Sequence, residues 1–320
     1  MKRAAYRKQS CGRFSSCRGF TFVELTMVVL LICMLIALLL PAVQQAREQA
    51  RKSQCRNNLV QIGFALTNYR MAHGVLPPGT VNDTGPIKSK EGGGYHMNWL
   101  VQILPFLEER NAYDKIDFTK PVYDEVQVSA RGHALQLLQC PSTRTGGGRQ
   151  PITCYFGVHN DIEAPIDVDQ NGVLFLNSSI NEDQIPDGDS HTIFLIEGRP
   201  DWGTGLGWMS GTRASLRNGV VAKRVSEPTF DSDGNLVNTT RIVYVHHASM
   251  SQNNDSMELK KELDALETQV EHVGGGGSHH SGGSHYLFGD GAVRFLDSSI
   301  DANLLRKLTH RADGELTSEY

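Results

Sequence analysis

The chain has 320 residues, of which 39% are hydrophobic, so it can bury a core and hold one long element beside one or two domains. Its basic residues cluster at the start: residues 1–19 carry six of them and no acidic residue, and without these six charges the formal net charge changes from −4 to about −10. An acidic remainder argues against a nucleic-acid-binding protein, which needs a basic surface to contact phosphates.

A membrane segment follows the basic start. Residues 20–43 form an apolar run in which Glu24 is the single charge, and a run of this length suits a helix that crosses a bilayer. The positive-inside rule predicts a cytoplasmic N-terminus and places the residues after 43 on the other side of the membrane. Pro41 should kink the helix near its exit from the membrane.

The helical pattern continues beyond the membrane segment. Apolar residues recur at helical spacing from Ala42 to Tyr69 among Gln, Arg and Asn. This pattern predicts one helix from Phe20 to about Met71, roughly 75 Å long. We call its amphipathic part, residues 44–73, the spine.

Residues 74–320 are predicted to form an extracytoplasmic globular head. A Gly-, Pro- and Asn-rich connector precedes two shorter predicted helices, and short apolar runs bounded by Gly, Asp and Asn then predict strands. The helices are expected at 98–111 and 124–138, and the strands at 152–158, 172–176, 192–197, 220–225, 241–245, 285–288 and 292–296.

A further amphipathic helix is predicted as an insertion between these strands. Leucine and valine residues from Leu259 to Val273 follow a 4-3-4-3 spacing, which places them on one face of a helix at about 255–273. Glycines 274–277 after it are expected to form a flexible hinge.

The residues before the apolar run resemble a processing site. They are RGFTFVEL, residues 18–25, whereas the small-residue cleavage pattern of a secretory signal peptide is missing. This stretch resembles the class III prepilin site of type IV pilins and type II secretion pseudopilins; an ordinary signal-anchor is the alternative. The resemblance implies cleavage by a prepilin peptidase after Gly19, N-methylation of Phe20, and a helix-bending role for Pro41. It also implies that Glu24 serves assembly by pairing with the terminal amine of a neighbouring subunit.

The likeness extends along nearly the whole chain to a planctomycete-type prepilin family of unknown function. It is carried by the stretches LLPAVQ at 39–44, QCRNNL at 54–59, CPS at 140–142 and IPDGDSHTI at 185–193, by Glu197, and by His280 followed after nine residues by Asp290 and Gly291. The predicted insertion, His191 and Ala292 depart from the family pattern. The resemblance implies an α+β, pilin-like fold in which the long N-terminal helix packs on a mainly antiparallel, β-rich head.

No metal, cofactor or catalytic site is assigned. His280 with Asp290 lacks a third ligand or a nucleophile, and residues 289–291 are expected to form a tight turn between antiparallel strands. Histidines 246, 247, 279, 280 and 285 lack the spacing of a familiar zinc site and are interpreted as solvated loop residues.

A calcium loop is a weaker possibility. Asp167, Asp169 and Asn171 alternate as in such a loop and Gly172 follows, but Ser178 stands where a bidentate Glu belongs. A hairpin turn is the alternative.

Three cysteines remain for the body once those of the leader and the apolar run are set aside. Cys140 and Cys154 flank a Gly-rich loop and could form a bridge outside the cytoplasm, while Cys55 with Cys140 is the competing pair. The sequence leaves the choice open.

The sequence therefore predicts a non-enzymatic, pilin-like or pseudopilin subunit that crosses the inner membrane once, with its head periplasmic or surface-exposed. Its expected partners are the prepilin peptidase and other pilin-like subunits, not nucleic acid. A membrane-anchored module that binds a glycan, peptide or ion without polymerising is the alternative. An envelope hydrolase is disfavoured because no Gly-x-Ser-x-Gly elbow or triad is recognisable.

Overall fold

The computed structural model describes residues 21–143, 150–200, 205–230, 236–245 and 273–315. The leader, the predicted Gly19–Phe20 cleavage site, His246, His247 and nearly all of the predicted inserted helix lie outside these residues. The chain divides into two compact units, residues 1–49 and 50–320, and the division falls within the first helix.

The long N-terminal helix is confirmed. Helix α1, Phe22–His73, has 52 residues and contains Pro41. By length and composition it is a candidate for a single membrane span, and the apolar window that meets this criterion is unburied within the protein.

The C-terminal part of α1 belongs to the core of the second unit. Leu59, Ile62, Ala65 and Leu66 are buried at intervals of three and four residues, so they lie on one face of the helix. This stripe joins the main hydrophobic core together with residues of the sheet. The predicted role of the spine as a packing element of the head is therefore confirmed.

The two shorter predicted helices are each broken into single turns. The first comprises α2 Trp99–Ile103, a 3-10 turn Leu104–Leu107 and α3 Arg110–Tyr113. The second comprises a 3-10 turn Glu125–Gln127, α4 Val128–Arg131 and a 3-10 turn Gln136–Leu138. The first helix is interrupted where Glu108 adopts φ 61°, a left-handed conformation that cannot continue a right-handed helix.

The described strands form a small antiparallel pair and one larger mixed sheet. The pair is β1 Thr80–Val81 with β2 Met97–Asn98. The larger sheet contains β3 Tyr155–Asn160, β4 Ile193–Glu197, β5 Leu216–Phe230, β6 Leu236–Val245, β7 Gly275–Gly276, β8 Gly283–Phe288 and β9 Val293–Asp297. Its order is β6-β5-β3-β4-β8-β9, and β7 pairs with β5. Strand β5 runs parallel to β3 and β7, whereas the remaining pairs are antiparallel. The α+β class is confirmed, but the sheet is mixed rather than purely antiparallel.

Two local predictions were wrong. The expected strand at 172–176 is buried but irregular, since the N–H groups of Val173 and Leu174 both donate to one carbonyl, that of Val158. The expected hinge at 274–277 contains the buried strand β7. A Cβ atom at Gly275 would lie 2.0 Å from the Val220 carbonyl oxygen, so glycine is needed there for close backbone approach rather than for flexibility.

The sheet carries core residues on both faces. Leu195 and Leu287 belong to the core that contains the spine. A second core contains Ile196 and Tyr286 together with Leu305 and Leu308 of helix α5, Ala302–Thr309. Because neighbouring strand residues point to opposite faces, the spine and α5 cover opposite sides of the sheet.

Candidate functional site

The start of α1 places Glu24 in a capping box. Thr21 directly precedes the first helical residue, and its N–H donates to Glu24 Oε2 at 2.9 Å. In return the N–H of Glu24 donates to Thr21 Oγ1 at 3.3 Å. Glu24 thus satisfies one of the free N–H groups at the helix start, a role beside the predicted pairing with another subunit.

The residues of the His-x9-Asp-Gly motif are not brought together. Asp290 and Gly291 lie in the turn between β8 and β9, where Gly291 has φ 85° and the Ala292 N–H donates to Asp290 Oδ1 at 2.8 Å. This confirms the predicted turn. His280 precedes β8, so strand β8 separates it from Asp290.

His280 instead belongs to a buried cluster with Cys55, Cys140 and Glu197, which we call the Cys–Glu–His cluster. Its Nε2 atom lies 3.4 Å from Cys140 Sγ and 3.2 Å from Glu197 Oε1. Cys55 Sγ lies 2.8 Å from Cys140 Sγ. These four donor atoms lie within 4.8 Å of one another, and all four residues are buried. The interpretation of His280 as a solvated loop residue was therefore wrong.

A second histidine supports the carboxylate of the cluster. His285 Nδ1 lies 2.8 Å from Glu197 Oε2, and the His285 backbone N–H donates to the same oxygen at 3.2 Å. Burial raises the pKa of Glu197, but hydrogen bonds from His280 and His285 outweigh this effect and lower the pKa to about 2. A carboxylate oxygen accepts hydrogen bonds, so this contact is made by the tautomer of His285 that has a proton on Nδ1. His285 is also buried, so the prediction that it is a solvated loop residue was wrong.

The two thiols of the cluster share a hydrogen bond. Cys55 donates to Cys140, which lowers the pKa of Cys140 and raises that of Cys55. The hydrogen bond with His280 also lowers the pKa of Cys140. Cys154 belongs to the same buried group of cysteines, and burial raises the pKa of its thiol to about 12. All three of these cysteines thus lie in one buried group as free thiols.

Each member of the cluster is positioned by a different chain segment. Cys55 lies on α1, Cys140 follows the 3-10 turn Gln136–Leu138, Glu197 ends β4, and His280 lies in the loop before β8. Side chains of the spine hold the Cys140 segment: Arg51 Nε donates to Ser142 Oγ at 3.0 Å, and Asn58 Nδ2 donates to the Gln139 carbonyl at 3.3 Å.

The loop that carries His280 is fixed by hydrogen bonds. The His280 N–H donates to Ser278 Oγ at 3.0 Å, and Ser278 Oγ–H donates to the Gly283 carbonyl at 2.7 Å. Arg199 Nε donates to the Ser278 carbonyl at 3.0 Å. The imidazole is therefore presented to the cluster by an ordered turn.

Residues of the possible calcium loop make local hydrogen bonds. Asn171 Nδ2 donates to Asp161 Oδ1 at 2.8 Å, and Asp167 Oδ1 accepts from the Val168 N–H at 2.8 Å. At position twelve, Ser178 Oγ accepts the N–H of Gly79 and that of Phe175, both at 3.2 Å. These contacts stabilise the loop itself, and the predicted hairpin strand after it does not form.

Sequence reasoning missed the partners of His280. Cys55 and Cys140 were considered only as a disulfide, and Glu197 only as part of the family resemblance. One signal was available: Glu197 ends the otherwise apolar run Ile193–Glu197, and a carboxylate in a buried strand needs a partner.

The comparisons identify the family. A family model described as a protein of unknown function (DUF1559) matches residues 44–303, a range that includes all four members of the cluster but not the processing site. No curated protein and no solved structure matches the chain. Because the family match spans far more than half of the sequence, the chain belongs to the DUF1559 family.

Proposed function

We propose that the chain is a type IV pilin-like or pseudopilin subunit, cleaved after Gly19 and anchored in the inner membrane by α1. The observation that supports this proposal is that the two parts of helix α1 have different surroundings. The helix begins with an apolar stretch that is unburied within the protein and ends as a spine whose apolar stripe is buried in the head. A helix that served only as a membrane anchor would need no such buried continuation.

Glu24, in the first turn of α1, supports the proposal because a charged side chain in a membrane segment is costly; at the centre of a membrane helix the cost is about 2.5 to 3.5 kcal/mol on insertion scales. Part of that cost is offset by the capping box with Thr21. Cleavage after Gly19 would create a cationic amine on Phe20, four residues before Glu24 in the sequence. In a filament the Phe20 amine of one subunit would pair with Glu24 of another.

The capping role and the pairing role are separable. Glu24→Gln keeps an oxygen that accepts the Thr21 N–H but removes the charge, since Gln also serves in capping boxes. Glu24→Val removes both functions. Thr21→Ala removes the hydroxyl of the box, at a cost of about 1 kcal/mol in helix stability, and leaves the carboxylate in place.

The experiment is crosslinking of the heads in cells that express each variant at equal levels. Wild type and Thr21→Ala should give ladders of oligomers, whereas Glu24→Gln and Glu24→Val should give monomer with normal membrane insertion and leader removal. Unchanged ladders in both Glu24 variants would contradict an assembly role and favour the anchored binding module. A ladder in Glu24→Gln alone would assign Glu24 to capping.

A further inference from the structure

The Cys–Glu–His cluster has the donor types of a metal site. Thiolate sulfur, imidazole nitrogen and carboxylate oxygen are the protein ligands of Zn²⁺, and structural zinc sites take four of them. Here the four donors come from segments far apart in the sequence, and their side chains are buried. The fold therefore brings Cys55, Cys140, Glu197 and His280 together in the interior of the protein.

Two of the separations between the donors are close to those of a tetrahedral site. With zinc bonds of about 2.0 to 2.3 Å, neighbouring donors lie about 3.3 to 3.8 Å apart. The distances from His280 Nε2 to Cys140 Sγ and to Glu197 Oε1 are 3.4 and 3.2 Å. The sulfurs of Cys55 and Cys140, at 2.8 Å, would move apart by about 1 Å to bind a common ion.

The surroundings of the carboxylate favour a metal over a disulfide. Glu197 holds His285 through Oε2 and faces His280 through Oε1. Metal-binding carboxylates are typically fixed in this way by a hydrogen bond on the outer oxygen. A disulfide would engage only the sulfurs of Cys55 and Cys140, whereas a metal ion would engage both sulfurs, the His280 imidazole and the Glu197 carboxylate together.

From this geometry we propose that Cys55, Cys140, Glu197 and His280 bind one Zn²⁺ ion. The ion joins the spine to the Cys140 segment, the end of β4 and the loop before β8. With four protein ligands the site is closed, so its role is structural rather than catalytic. It fastens the spine to the rest of the head.

The test uses the full-length chain, extracted in detergent and purified without added metal or reductant. Elemental analysis should find about one zinc per chain. After removal of the metal with a chelator, Co²⁺ should produce a thiolate-to-cobalt charge-transfer band and the visible bands of tetrahedral Co²⁺, and Zn²⁺ should abolish both.

Two variants isolate the site. Cys140→Ser and His280→Gln should lose the bound zinc and the charge-transfer band. Cys154→Ser is the matched control, because it removes a buried thiol of the same cysteine group but no proposed ligand. It should bind metal as wild type does. X-ray absorption at the zinc edge of the wild-type protein, which requires no variant to fold, should show two sulfur and two nitrogen or oxygen neighbours.

Three results would overturn the proposal. One is a Cys55–Cys140 disulfide in peptide maps of protein taken directly from cells, with no zinc present. The second is a zinc absorption spectrum without sulfur neighbours. The third is cobalt binding that survives in Cys140→Ser and His280→Gln. None of these measurements depends on cleavage or filament assembly. If the zinc proposal fails, the pilin-like function is still tested separately.

Discussion

Replacing Leu59 should lower the denaturant concentration at which the head unfolds, because this side chain packs the spine against the core. Leu59 is fully buried in the main core cluster. Leu59→Ala removes three carbons, worth about 0.8 kcal/mol each, or about 2.4 kcal/mol in transfer free energy. The cavity left in a close-packed core adds to this, so the free energy of unfolding should fall by about 3 to 5 kcal/mol.

Urea unfolding of the full chain in detergent micelles measures this effect. The buried side chains of Trp99 and Trp208 provide the fluorescence signal. With a urea dependence near 3 kcal/mol per molar, the midpoint should fall by about 1 M or more. Phe64 is the matched control: it lies on the same helix but is 66% exposed, so Phe64→Ala should change stability by less than about 0.5 kcal/mol. Equal midpoints for wild type and Leu59→Ala would refute the packing role of the spine.

Two further predictions concern stability. Burial lowers the pKa of His159 to about 4, although its hydrogen bond with Gln170 acts in the opposite direction. The ordinary pKa of a histidine is about 6.5, so between pH 6.5 and 4 the unfolded chain binds a proton that the folded chain does not. The free energy of unfolding therefore falls as the pH is lowered through this window. In urea titrations at pH 7 and pH 5, wild type should lose about 2 kcal/mol more of this free energy than His159→Gln. Equal losses would contradict the prediction. Gly275→Ala should lower stability by about 1 to 3 kcal/mol, because the new Cβ would meet the Val220 carbonyl oxygen at 2.0 Å. An unchanged melting temperature in that variant would show that β7 has room to move.

The elements with strong local patterns could be predicted from the sequence. The 3.6-residue spacing of the spine and the short apolar runs of β4, β8 and β9 gave the right element types, with bounds close to those found. The turn at Asp290 and Gly291 was predictable because these residue types tolerate positive φ. The run at 172–176 was misassigned because an apolar run indicates burial, which it has, and not necessarily strand pairing.

The candidate metal site could not be predicted, because its members are separated by long stretches of sequence and meet only through the fold. Cys55 and Cys140 lie 85 residues apart, and Cys140 and His280 lie 140 residues apart. The parallel pairing of β5 with β3 could not be predicted for the same reason, because a crossover connection leaves no local pattern in the sequence. The capping box at Thr21 and Glu24 is different: the spacing Thr-x-x-Glu before an apolar run was visible in the sequence.

The most direct test of the pilin-like function is the mass of the mature N-terminus. The protein is isolated from membranes of wild-type cells and from cells that carry Gly19→Leu, and its N-terminal peptide is identified by mass spectrometry. Wild type should begin at N-methylated Phe20 and lack residues 1–19, while Gly19→Leu should keep them. An intact leader on the wild-type protein would contradict the central claim.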